Sequence, residues 1–328
     1  MQVGTRDDKD QGRTRTIVWS VCRKKSANPA RLYRYAEMQI RFGGLMAVRS
    51  RRRLWRQVAI GCCLVWAVTS LAGATAASQG SREATHLVGA SLRVLQLNLC
   101  DSGIARCYTG RSVHQAAEVI RAEQPDIVTL NEICRDDLPV LQTALSDAKR
   151  GGLITSAFEA AVDRRTAAAF RCRNGQPYGV GVLARVGPQN RGYRLYSEVY
   201  PIQDTRDPEQ RVWLCLHAIS DFYACTTHLA STSSTVALGQ CGYLLHTAIP
   251  DLRAQGGQDP MVLGGDFNLS LGGSRGAHAC LPPGYRHTTD GGTQYVVDSA
   301  GLTVASSRSI SMRGTTDHPG LLVDLNIT

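Results

Sequence analysis

The chain has 328 residues, enough for one large or two modest domains, and a formal net charge of +10. The positive excess lies at the front, because residues 1–78 hold 15 of the 37 basic and 4 of the 27 acidic residues. Residues 79–328 therefore carry 22 basic and 23 acidic residues, so the net charge gives no support to nucleic-acid binding. Only a local arginine patch would do so.

The first segment in chain order has the features of an export signal. Arginine-rich residues 49–56 precede an uncharged apolar run over residues 58–72, and small residues follow at 73–77. These are the n-region, h-region and cleavage site of a secretory signal, so we predict a signal peptide over residues 46–78 that begins at Met46.

Residues 1–45 are polar and irregular, and we interpret them as an upstream extension or a misassigned start. Residues 50–56 also loosely fit a twin-arginine signal, which leaves the export route open. A retained membrane anchor is the alternative, although the apolar run is short for a span. We expect a secreted, extracellular monomer without a stable membrane anchor after signal cleavage.

The number and spacing of the cysteines are typical of an exported protein. Three of the 11 lie before residue 79, and the other eight form an even set without a CxxC pair, which favours disulfide bonds over a structural zinc site. Cys215 and Cys225 are symmetric about Ser220, so a hairpin turning there would place them opposite each other, and we predict this bridge first. Pairing of sequence neighbours is a weaker expectation, namely 100 with 107, 134 with 172 and 241 with 280. A zinc or redox role remains the alternative.

After the leader, short β-rich runs alternate with amphipathic stretches and no internal repeat occurs, so we predict one domain over residues 79–328. Strands are predicted at residues 92–97, 126–130, 178–186, 211–217, 222–228, 261–265, 294–297, 302–307 and 321–327. Helices are predicted at residues 113–122, 138–148 and 231–249. This mixed order with hairpins favours packed sheets covered by helices.

Polar residues follow several of the predicted strands. They are Asn98, Glu132, His228, Asp266 and Asn268. Residues at strand ends converge on one edge of a sheet, where they form a site. Asp266 and Asn268 point the same way and can jointly hold water or a phosphate oxygen. With Asp317 and His318 as a metal ligand and a proton-transfer group, the pattern predicts phosphate-ester hydrolysis.

Several short sequence motifs occur one after another along the chain. They are Gln96-Leu-Asn98, Asn131-Glu132, Tyr178-Gly-Val-Gly-Val-Leu-Ala-Arg185, Thr227-His228, Gly265-Asp266-Phe-Asn268, Tyr295-Val-Val-Asp298 and Thr316-Asp317-His318. In this order, over nearly all of residues 92–328, they resemble the endonuclease/exonuclease/phosphatase superfamily. The resemblance implies a metal-dependent phosphoric ester hydrolase with an α+β fold, a four-layer α/β/β/α sandwich of two mixed sheets flanked by helices.

The resemblance also implies a metal site. Glu132 would be the main Mg²⁺ ligand, with Asn98 and Asp317 completing the site directly or through waters, since Mg²⁺ prefers oxygen ligands and retains waters. Mn²⁺ or Ca²⁺ are alternatives. Cys100 stands where some nucleases of the family carry Asp, so the number of metal ions stays open.

The catalytic roles come from the same resemblance. His318, oriented by Asp298, would accept a proton from the attacking water. Asp266 and Asn268 would position that water and the phosphate. His228 would donate to a phosphate oxygen or protonate the leaving group, and the two histidine roles are interchangeable at this stage.

The substrate is the least determined property. Arg211 resembles a family arginine that reaches the substrate phosphate, but an exposed strand-edge arginine is an equal alternative. Residues 191–200 interleave tyrosine with arginine, as in segments that stack nucleic-acid bases, or form a strand with one wet face. Trp213 is the only tryptophan after the leader, whereas membrane-inserting sphingomyelinases of the family carry exposed aromatic hairpins. We therefore predict an extracellular nuclease acting on nucleic acid or another phosphodiester, with a sphingomyelinase-like phospholipid phosphodiesterase and a non-catalytic binding module as alternatives.

Overall fold

The computed structural model describes residues 2–10, 13–25, 32–42, 91–148, 152–187, 190, 192–270, 272 and 276–328. The predicted signal peptide over residues 46–78 lies outside these segments. Among the described helices, none has the length and apolar character needed to span a membrane.

The described segments alternate strands and helices. The strands are β1 (Gln2–Asp10), β2 (Arg13–Lys25), β3 (Leu32–Phe42), β4 (Ser91–Asn98), β5 (Ile127–Cys134), β6 (Leu153–Ala160), β7 (Val162–Asp163), β8 (Tyr178–Val186), β9 (Gly192–Val199), β10 (Glu209–Gln210), β11 (Val212–Ala218), β12 (Phe222–His228), β13 (Met261–Asp266), β14 (Arg286–Thr289), β15 (Gln294–Asp298), β16 (Leu302–Ile310) and β17 (Gly320–Ile327). The helices are α1 (Ser112–Glu123), α2 (Leu138–Ala148), α3 (Ser234–Tyr243) and α4 (Ile249–Gly256), with a π-helical turn at Leu244–Ala248 and 3₁₀ turns at Arg135–Asp137 and Ala277–Cys280.

Two mixed sheets form the middle of the domain. The large sheet has the strand order β1-β2-β3-β9-β11-β12-β13-β15-β14, and the small sheet has the order β16-β17-β4-β5-β8-β6. Each sheet contains one parallel pair, β12 with β13 in the large sheet and β4 with β5 in the small sheet, while the other pairings are antiparallel. Strands β7 and β10 form a separate two-stranded ribbon.

Helices cover the outer face of each sheet. Apolar residues from both sheets, such as Val94 and Val262, pack in a shared core between them. Ile120 of α1 and Leu141 of α2 pack on the small sheet, and Leu252 of α4 packs on the large one. Burial of each such aliphatic side chain stabilises the fold by about 1.5–3 kcal/mol. The predicted four-layer α/β/β/α sandwich is confirmed.

The predicted elements match most of the observed ones. The third predicted helix begins at Ser234, where the hydroxyl of Ser233 accepts a hydrogen bond from the backbone N–H of Val236, and continues to Gly256 through the π-helical turn. Strands β6 and β14 were not predicted, because their sequences mix polar and apolar residues without clear alternation.

The segment before residue 43 differs from the prediction. We expected irregular chain, but β1, β2 and β3 pair antiparallel, and β3 extends the large sheet beside β9. The run Thr16-Ile-Val-Trp-Ser-Val21 within β2 is rich in β-branched and aromatic residues, which favour strands.

All four predicted disulfides are present among the described residues. Cys215 and Cys225 lie directly opposite each other in the β11–β12 hairpin, as predicted. The neighbour pairings also occur, namely Cys100–Cys107, Cys134–Cys172 and Cys241–Cys280. The Cys134–Cys172 bridge ties the end of β5 to the loop that precedes β8.

Candidate active site

The ends of the two parallel strand pairs meet at one edge of the sandwich. Asn98 ends β4, His228 ends β12 and Asp266 ends β13, while Glu132 lies near the end of β5. Apart from Asn98, these residues line a cavity of about 490 Å³. Its other polar lining residues include Asp207, Glu209, Arg211, Asn268, Asp317 and His318. The structure thus brings together nearly all of the predicted site residues.

Glu132 occupies an irregular position in β5. The pairing of β5 with β8 shifts register between Leu130 and Ile133, and the intervening Glu132 adopts a left-handed backbone with φ of 54°. A bulge of this kind redirects a side chain, and a left-handed non-glycine residue costs about 1–3 kcal/mol. The fold therefore holds Glu132 in a strained conformation that directs its carboxylate into the cavity.

Asn98 holds two carboxylates at once. Its Nδ2 donates to Glu132 Oε1 at 3.1 Å and to Asp266 Oδ2 at 3.0 Å, while its Oδ1 accepts the backbone N–H of Cys100 at 3.1 Å. Because the oxygen already faces a backbone donor, the geometry supports a positioning role. The predicted part of Asn98 in the metal site, directly or through water, stays a prediction, because an amide oxygen has a second lone pair.

The charges around Glu132 favour a bound cation. Burial raises the pKa of Glu132, and the negative charges of Asp266 and Asp317 raise it further, against the lowering effects of Asn98 and Arg211. A divalent cation would relieve both the desolvation and the repulsion. Mg²⁺ is usually bound by one or two carboxylates together with several waters. The pair of Glu132 and the half-exposed Asp317 fits this requirement.

Other acidic and cysteine clusters fit a metal ion less well. Among the described residues, Cys100, Cys107 and Asp317 form one close group, and Asp101, Cys134 and Asp137 form another. The cysteines in both groups are disulfide-bonded and supply no thiolate. The cavity carboxylates therefore remain the candidates for a metal site.

Two histidines face the cavity carboxylates. His228 Nε2 lies 4.0 Å from Glu132 Oε1, and burial, with Arg211 and His318 nearby, holds the pKa of His228 well below its usual value. His318 Nε2 lies 3.4 Å from Asp266 Oδ2. The hydroxyl of Thr316 donates to the backbone carbonyl of Asn98 at 3.0 Å, so the loop that carries His318 is fixed to the end of β4.

The partner of His318 is not the predicted one. Strand β15 runs antiparallel to β13, with Gln294 opposite Asp266 and Asp298 opposite Val262. Asp298 consequently lies at the far end of the strand, where its Oδ2 accepts from Nε and Nη2 of Arg286 at 3.2 and 3.0 Å. Gln294 takes the place expected for Asp298, with Nε2 at 3.4 Å from His318 Nδ1.

Asn268 is held by a tight local turn. It adopts a left-handed backbone with φ of 50°, which asparagine tolerates better than most residues. Its backbone N–H donates to Asp266 Oδ1 at 3.0 Å, and its Nδ2 donates to the carbonyl of Leu229 at 3.0 Å. One amide hydrogen remains on Nδ2 for a ligand in the cavity.

Arg211 is buried in the cavity wall. Its Nη2 donates to Asp207 Oδ2 at 3.0 Å and to Ser231 Oγ at 3.3 Å, and its Nη1 lies 3.3 Å from Glu209 Oε1. Burial raises the pKa of Glu209 to about 7, although Arg211 opposes this. The alternative of an exposed strand-edge arginine does not match this position, because the Arg211 side chain is only 5% exposed.

One wall of the cavity is apolar. It is formed by Ile104, Ala105, Phe170 and Pro208, and we call it the apolar wall. The Cys134–Cys172 bridge anchors the segment of Phe170, and the backbone N–H of Arg173 donates to the carbonyl of Ser102 at 2.8 Å. The loop of Ile104 and the loop of Phe170 are thereby joined.

Comparison with known proteins agrees with this geometry. The family model described as the Endonuclease/Exonuclease/phosphatase family matches residues 107–318. The chain belongs to this family. Its members are metal-dependent phosphoric ester hydrolases that act on nucleic acid or other phosphodiester substrates, and the chain is an enzyme of this class. A search of curated protein sequences gave no match.

Solved structures share the fold. An endonuclease/exonuclease/phosphatase from Beutenbergia cavernae has 20% identity and a TM-score of 0.51, and the match covers 72% of each chain. The human nocturnin catalytic domain has 20% identity and a TM-score of 0.53, covering 74% of this chain and 96% of that one. A family protein from Bacteroides vulgatus has 14% identity and a TM-score of 0.50, covering 73% and 100%.

Of the two alternatives for residues 191–200, the structure agrees with a strand and not with a base-stacking segment. They include β9, which lies inside the large sheet between β3 and β11. Tyr196 and Tyr200 are buried, and the Tyr200 hydroxyl lies 2.7 Å from Thr227 Oγ1. Side chains packed in this way present no face for a base.

Two cavity features of this family member escaped the sequence analysis. The apolar wall arises from loops, which carry no periodic signal. Tyr178 begins β8 and lines the cavity, and burial together with Glu132 raises its pKa well above the usual range, so its hydroxyl stays protonated. The only sequence signal for Tyr178 is its place at the start of the motif that ends at Arg185.

Proposed function

We propose that the chain is a secreted, Mg²⁺-dependent phosphodiesterase that hydrolyses nucleic acid. The observation that carries this proposal is the convergence of Glu132, Asp266, His228, His318 and Arg211 on one cavity. Carboxylates for a cation stand there beside histidine and arginine donors for a phosphoryl group. That combination suits a phosphodiester, which brings negative charge and needs a water positioned for in-line attack.

Each polar residue has a proposed part in the reaction. Glu132 and Asp317 would hold Mg²⁺, with Asn98 fixing the position of Glu132. When bound, the ion would polarise a phosphoryl oxygen and neutralise developing charge. Asp266 and Asn268 would orient the attacking water and the phosphate.

His228 and Arg211 would act on the phosphoryl oxygens. His228 is held neutral by burial, and a neutral imidazole can donate from one ring nitrogen. Arg211 supplies a fixed positive charge in the cavity wall, where it lowers the pKa of Glu132. Both groups would stabilise a phosphoryl group whose negative charge rises during the reaction.

Nucleic acid is favoured by the surroundings of the cavity. The apolar wall would contact a base next to the scissile phosphate. Exposed Arg106 and Arg173 lie on the loops that form this wall, and Arg206 lines the cavity with a side chain that is 69% exposed. On a longer nucleic-acid strand, these arginines would contact phosphates next to the scissile one.

Secretion is supported by two independent features. The signal-peptide pattern over residues 46–78 predicts export. The eight cysteines after residue 79 pair into four disulfides, which persist in oxidising compartments. Expression with the native leader and mass measurement of the product found outside the cell would test this part.

One observation favours a second candidate. The apolar wall would also contact the hydrocarbon next to the phosphate of a sphingolipid, so a phospholipid phosphodiesterase is the alternative. The candidates differ in the substrate that the purified enzyme hydrolyses.

The test compares duplex DNA, single-stranded DNA and sphingomyelin vesicles as substrates, with Mg²⁺ or with chelator. His318→Ala removes a cavity histidine, and His114→Ala is its control, because His114 lies on α1 with 81% of its side chain exposed. We expect Mg²⁺-dependent DNA cleavage that His318→Ala abolishes and His114→Ala retains. Cleavage of sphingomyelin alone would establish the alternative, and DNA cleavage that His318→Ala retains in full would contradict the proposed site.

A further inference from the structure

We propose that Gln294 fixes His318 as the tautomer with its hydrogen on Nε2, so that His318 gives a hydrogen bond to the substrate and does not accept the proton of water. The proposal deepens the proposed function and rests on it. It rests on a chain of buried amide contacts in which each orientation follows from the one before. Gln294 is a positioning residue in this arrangement.

The series of amide hydrogen bonds starts from backbone groups whose donor and acceptor roles are fixed. The backbone N–H of Asp266 donates to Asn131 Oδ1 at 2.7 Å, and Asn131 Nδ2 donates to the carbonyl of Thr227 at 2.9 Å. A backbone N–H only donates and a carbonyl only accepts, so the orientation of the Asn131 amide is determined.

The orientation of the Asn131 amide determines the orientation of the Gln96 amide. Its Nε2 lies 2.7 Å from Asn131 Oδ1, an established acceptor, so this atom of Gln96 must be the nitrogen. The same nitrogen donates to Gln294 Oε1 at 3.1 Å, while Gln96 Oε1 accepts from the hydroxyl of Thr129 at 2.5 Å. Both hydrogens of the Gln96 amide and one lone pair of its oxygen are therefore used.

Gln294 is left with only one arrangement. Its oxygen faces Gln96, so its nitrogen faces Asp266 Oδ2 at 2.8 Å, and a carboxylate accepts. The same nitrogen lies 3.4 Å from both Thr293 Oγ1 and His318 Nδ1, and because an amide nitrogen does not accept hydrogen bonds, His318 Nδ1 fits this neighbour with a lone pair and not with an N–H. A neutral imidazole without a hydrogen on Nδ1 carries it on Nε2.

The other side of the His318 ring agrees with this assignment. Nε2 lies 3.4 Å from Asp266 Oδ2 and 3.7 Å from Asp317 Oδ1, both of which accept hydrogen bonds. An N–H at Nε2 therefore faces acceptors, while a lone pair at Nδ1 faces a donor. The opposite tautomer would place an N–H against the amide hydrogens of Gln294.

The arrangement is rigid because its members are buried and come from both sheets. Gln96, Asn131 and Gln294 are fully buried, and Gln294 starts a strand of the large sheet while the other two lie in the small one. Rotating the Gln294 amide would break its bonds to Gln96 and Asp266 together. Leaving such buried groups unpaired costs about 1–3 kcal/mol each.

The consequence concerns the roles of the cavity groups. His318 Nε2 carries a hydrogen and has no lone pair for the proton of water, so that proton passes to a cavity carboxylate. His318 gives a hydrogen bond to a phosphoryl oxygen, and no proton leaves its ring. A carboxylate at position 294 would instead accept a hydrogen from Nδ1 and free the lone pair of Nε2.

The experiment is ¹⁵N NMR of the purified protein with labelled histidine rings, in chelator and at a pH where His318 is neutral. The His318 signals are assigned by their loss in His318→Ala. We expect an unprotonated Nδ1 and a protonated Nε2 in the parent protein. In Gln294→Glu we expect the hydrogen on Nδ1, together with a change in kcat of about tenfold or more.

Gln240→Glu provides a matched control. Gln240 is also fully buried, but its amide accepts from the backbone N–H of Ala230 and donates to the carbonyl of Ile202. This change should lower stability without altering the His318 tautomer. If Gln294→Glu does not fold, Gln294→Met, of similar volume and no charge, removes the donor and should populate both tautomers.

Two outcomes would overturn the proposal, namely a hydrogen on His318 Nδ1 in the parent protein, or an unchanged tautomer in folded Gln294→Glu and Gln294→Met. The ring signals are read without substrate. Absence of hydrolysis would therefore count against the proposed function alone, and an Nδ1 hydrogen in an active enzyme would count against this inference alone.

Discussion

Asn98 Nδ2 lies 3.1 Å from Glu132 Oε1, so an amide at the end of one strand holds a largely buried carboxylate at the bulge of its parallel neighbour. The contact compensates only part of the cost of burying the carboxylate, because the pKa of Glu132 is still raised. A cation beside Glu132 would supply the rest. The metal dependence of the family thus has a local electrostatic cause in this chain.

Glu132→Gln should separate metal binding from folding. A raised pKa means that ionised Glu132 lowers stability as the pH rises above the ordinary glutamate value, so the neutral amide should raise stability at pH 7.5 without metal. We expect kcat to fall by about 10³ or more. Thermal unfolding with and without Mg²⁺ measures the first effect, and equal stabilisation of parent and variant by Mg²⁺ would contradict the assignment.

Asp298→Asn should leave catalysis nearly unchanged. Asp298 pairs with Arg286 at the far end of β15 from the cavity, so we expect kcat/KM to stay within about twofold of the parent value, below the size of a catalytic contribution. Hydrolysis of a common phosphodiester by Asp298→Asn and Asp266→Asn, measured side by side, tests this. A loss in Asp298→Asn comparable with that in Asp266→Asn would show that Asp298 reaches the site.

The direction of β15 explains why Asp298 was mispredicted. Polar residues at the ends of β4, β12 and β13 were found from sequence, because parallel partners end at one edge of a sheet. Strand β15 runs the other way, so its first residue, Gln294, lies at that edge. An apolar run in the sequence does not carry its direction within the sheet.

The positions of the loops were also beyond the sequence analysis. Most core strands and the helices α1, α2 and α3 have sequence patterns that predict them, and the hairpin symmetry predicted the Cys215–Cys225 bridge. The apolar wall instead depends on how residues 101–107 pack against residues 170–176. Contacts between residues far apart in the sequence determine this packing, and no local sequence pattern predicts them.

Asp101→Asn should change how stability depends on pH. Burial, with Asp137 beside it, raises the pKa of Asp101 to about 7. Because this folded-state value exceeds the unfolded one, stability is present below about pH 4 and is lost as the pH rises towards 7. The neutral variant should gain about 1–2 kcal/mol at pH 7.5, after allowance for partial exposure, and little at pH 4. Denaturant unfolding at both pH values measures this, and an equal gain at both would refute it.

The apolar wall should discriminate between substrates. Phe170→Ala and Ile104→Ala should each raise KM for a nucleotide ester by about tenfold, since a base stacked on a side chain gains about 1–3 kcal/mol. A methyl phosphodiester has no base to contact and should be affected much less. Ile202→Ala is the control, because Ile202 is 43% exposed and outside the cavity lining. Equal losses on both esters would mean that the wall is only structural.

Removing the Cys134–Cys172 bridge should affect the wall and the fold together. The double change to serine should lower stability by about 2–5 kcal/mol and raise KM for the nucleotide ester. The Cys215–Cys225 double variant is the comparison, since that bridge lies within one hairpin and not in the cavity lining. It should lose stability without a specific rise in KM. A rise of equal size in both variants would point to general loosening.

In the proposed exported enzyme, the Cys134–Cys172 bridge would make activity depend on the redox state of the compartment that holds the chain. Cys134 follows Glu132 by two residues, and Cys172 follows Phe170 by two, so one covalent bond connects the catalytic strand with the surface that would hold the substrate. A newly made chain with reduced thiols would lack that connection. If the chain is exported and hydrolyses nucleic acid as proposed, the cell that makes it would be protected from that activity until the chain reached an oxidising compartment.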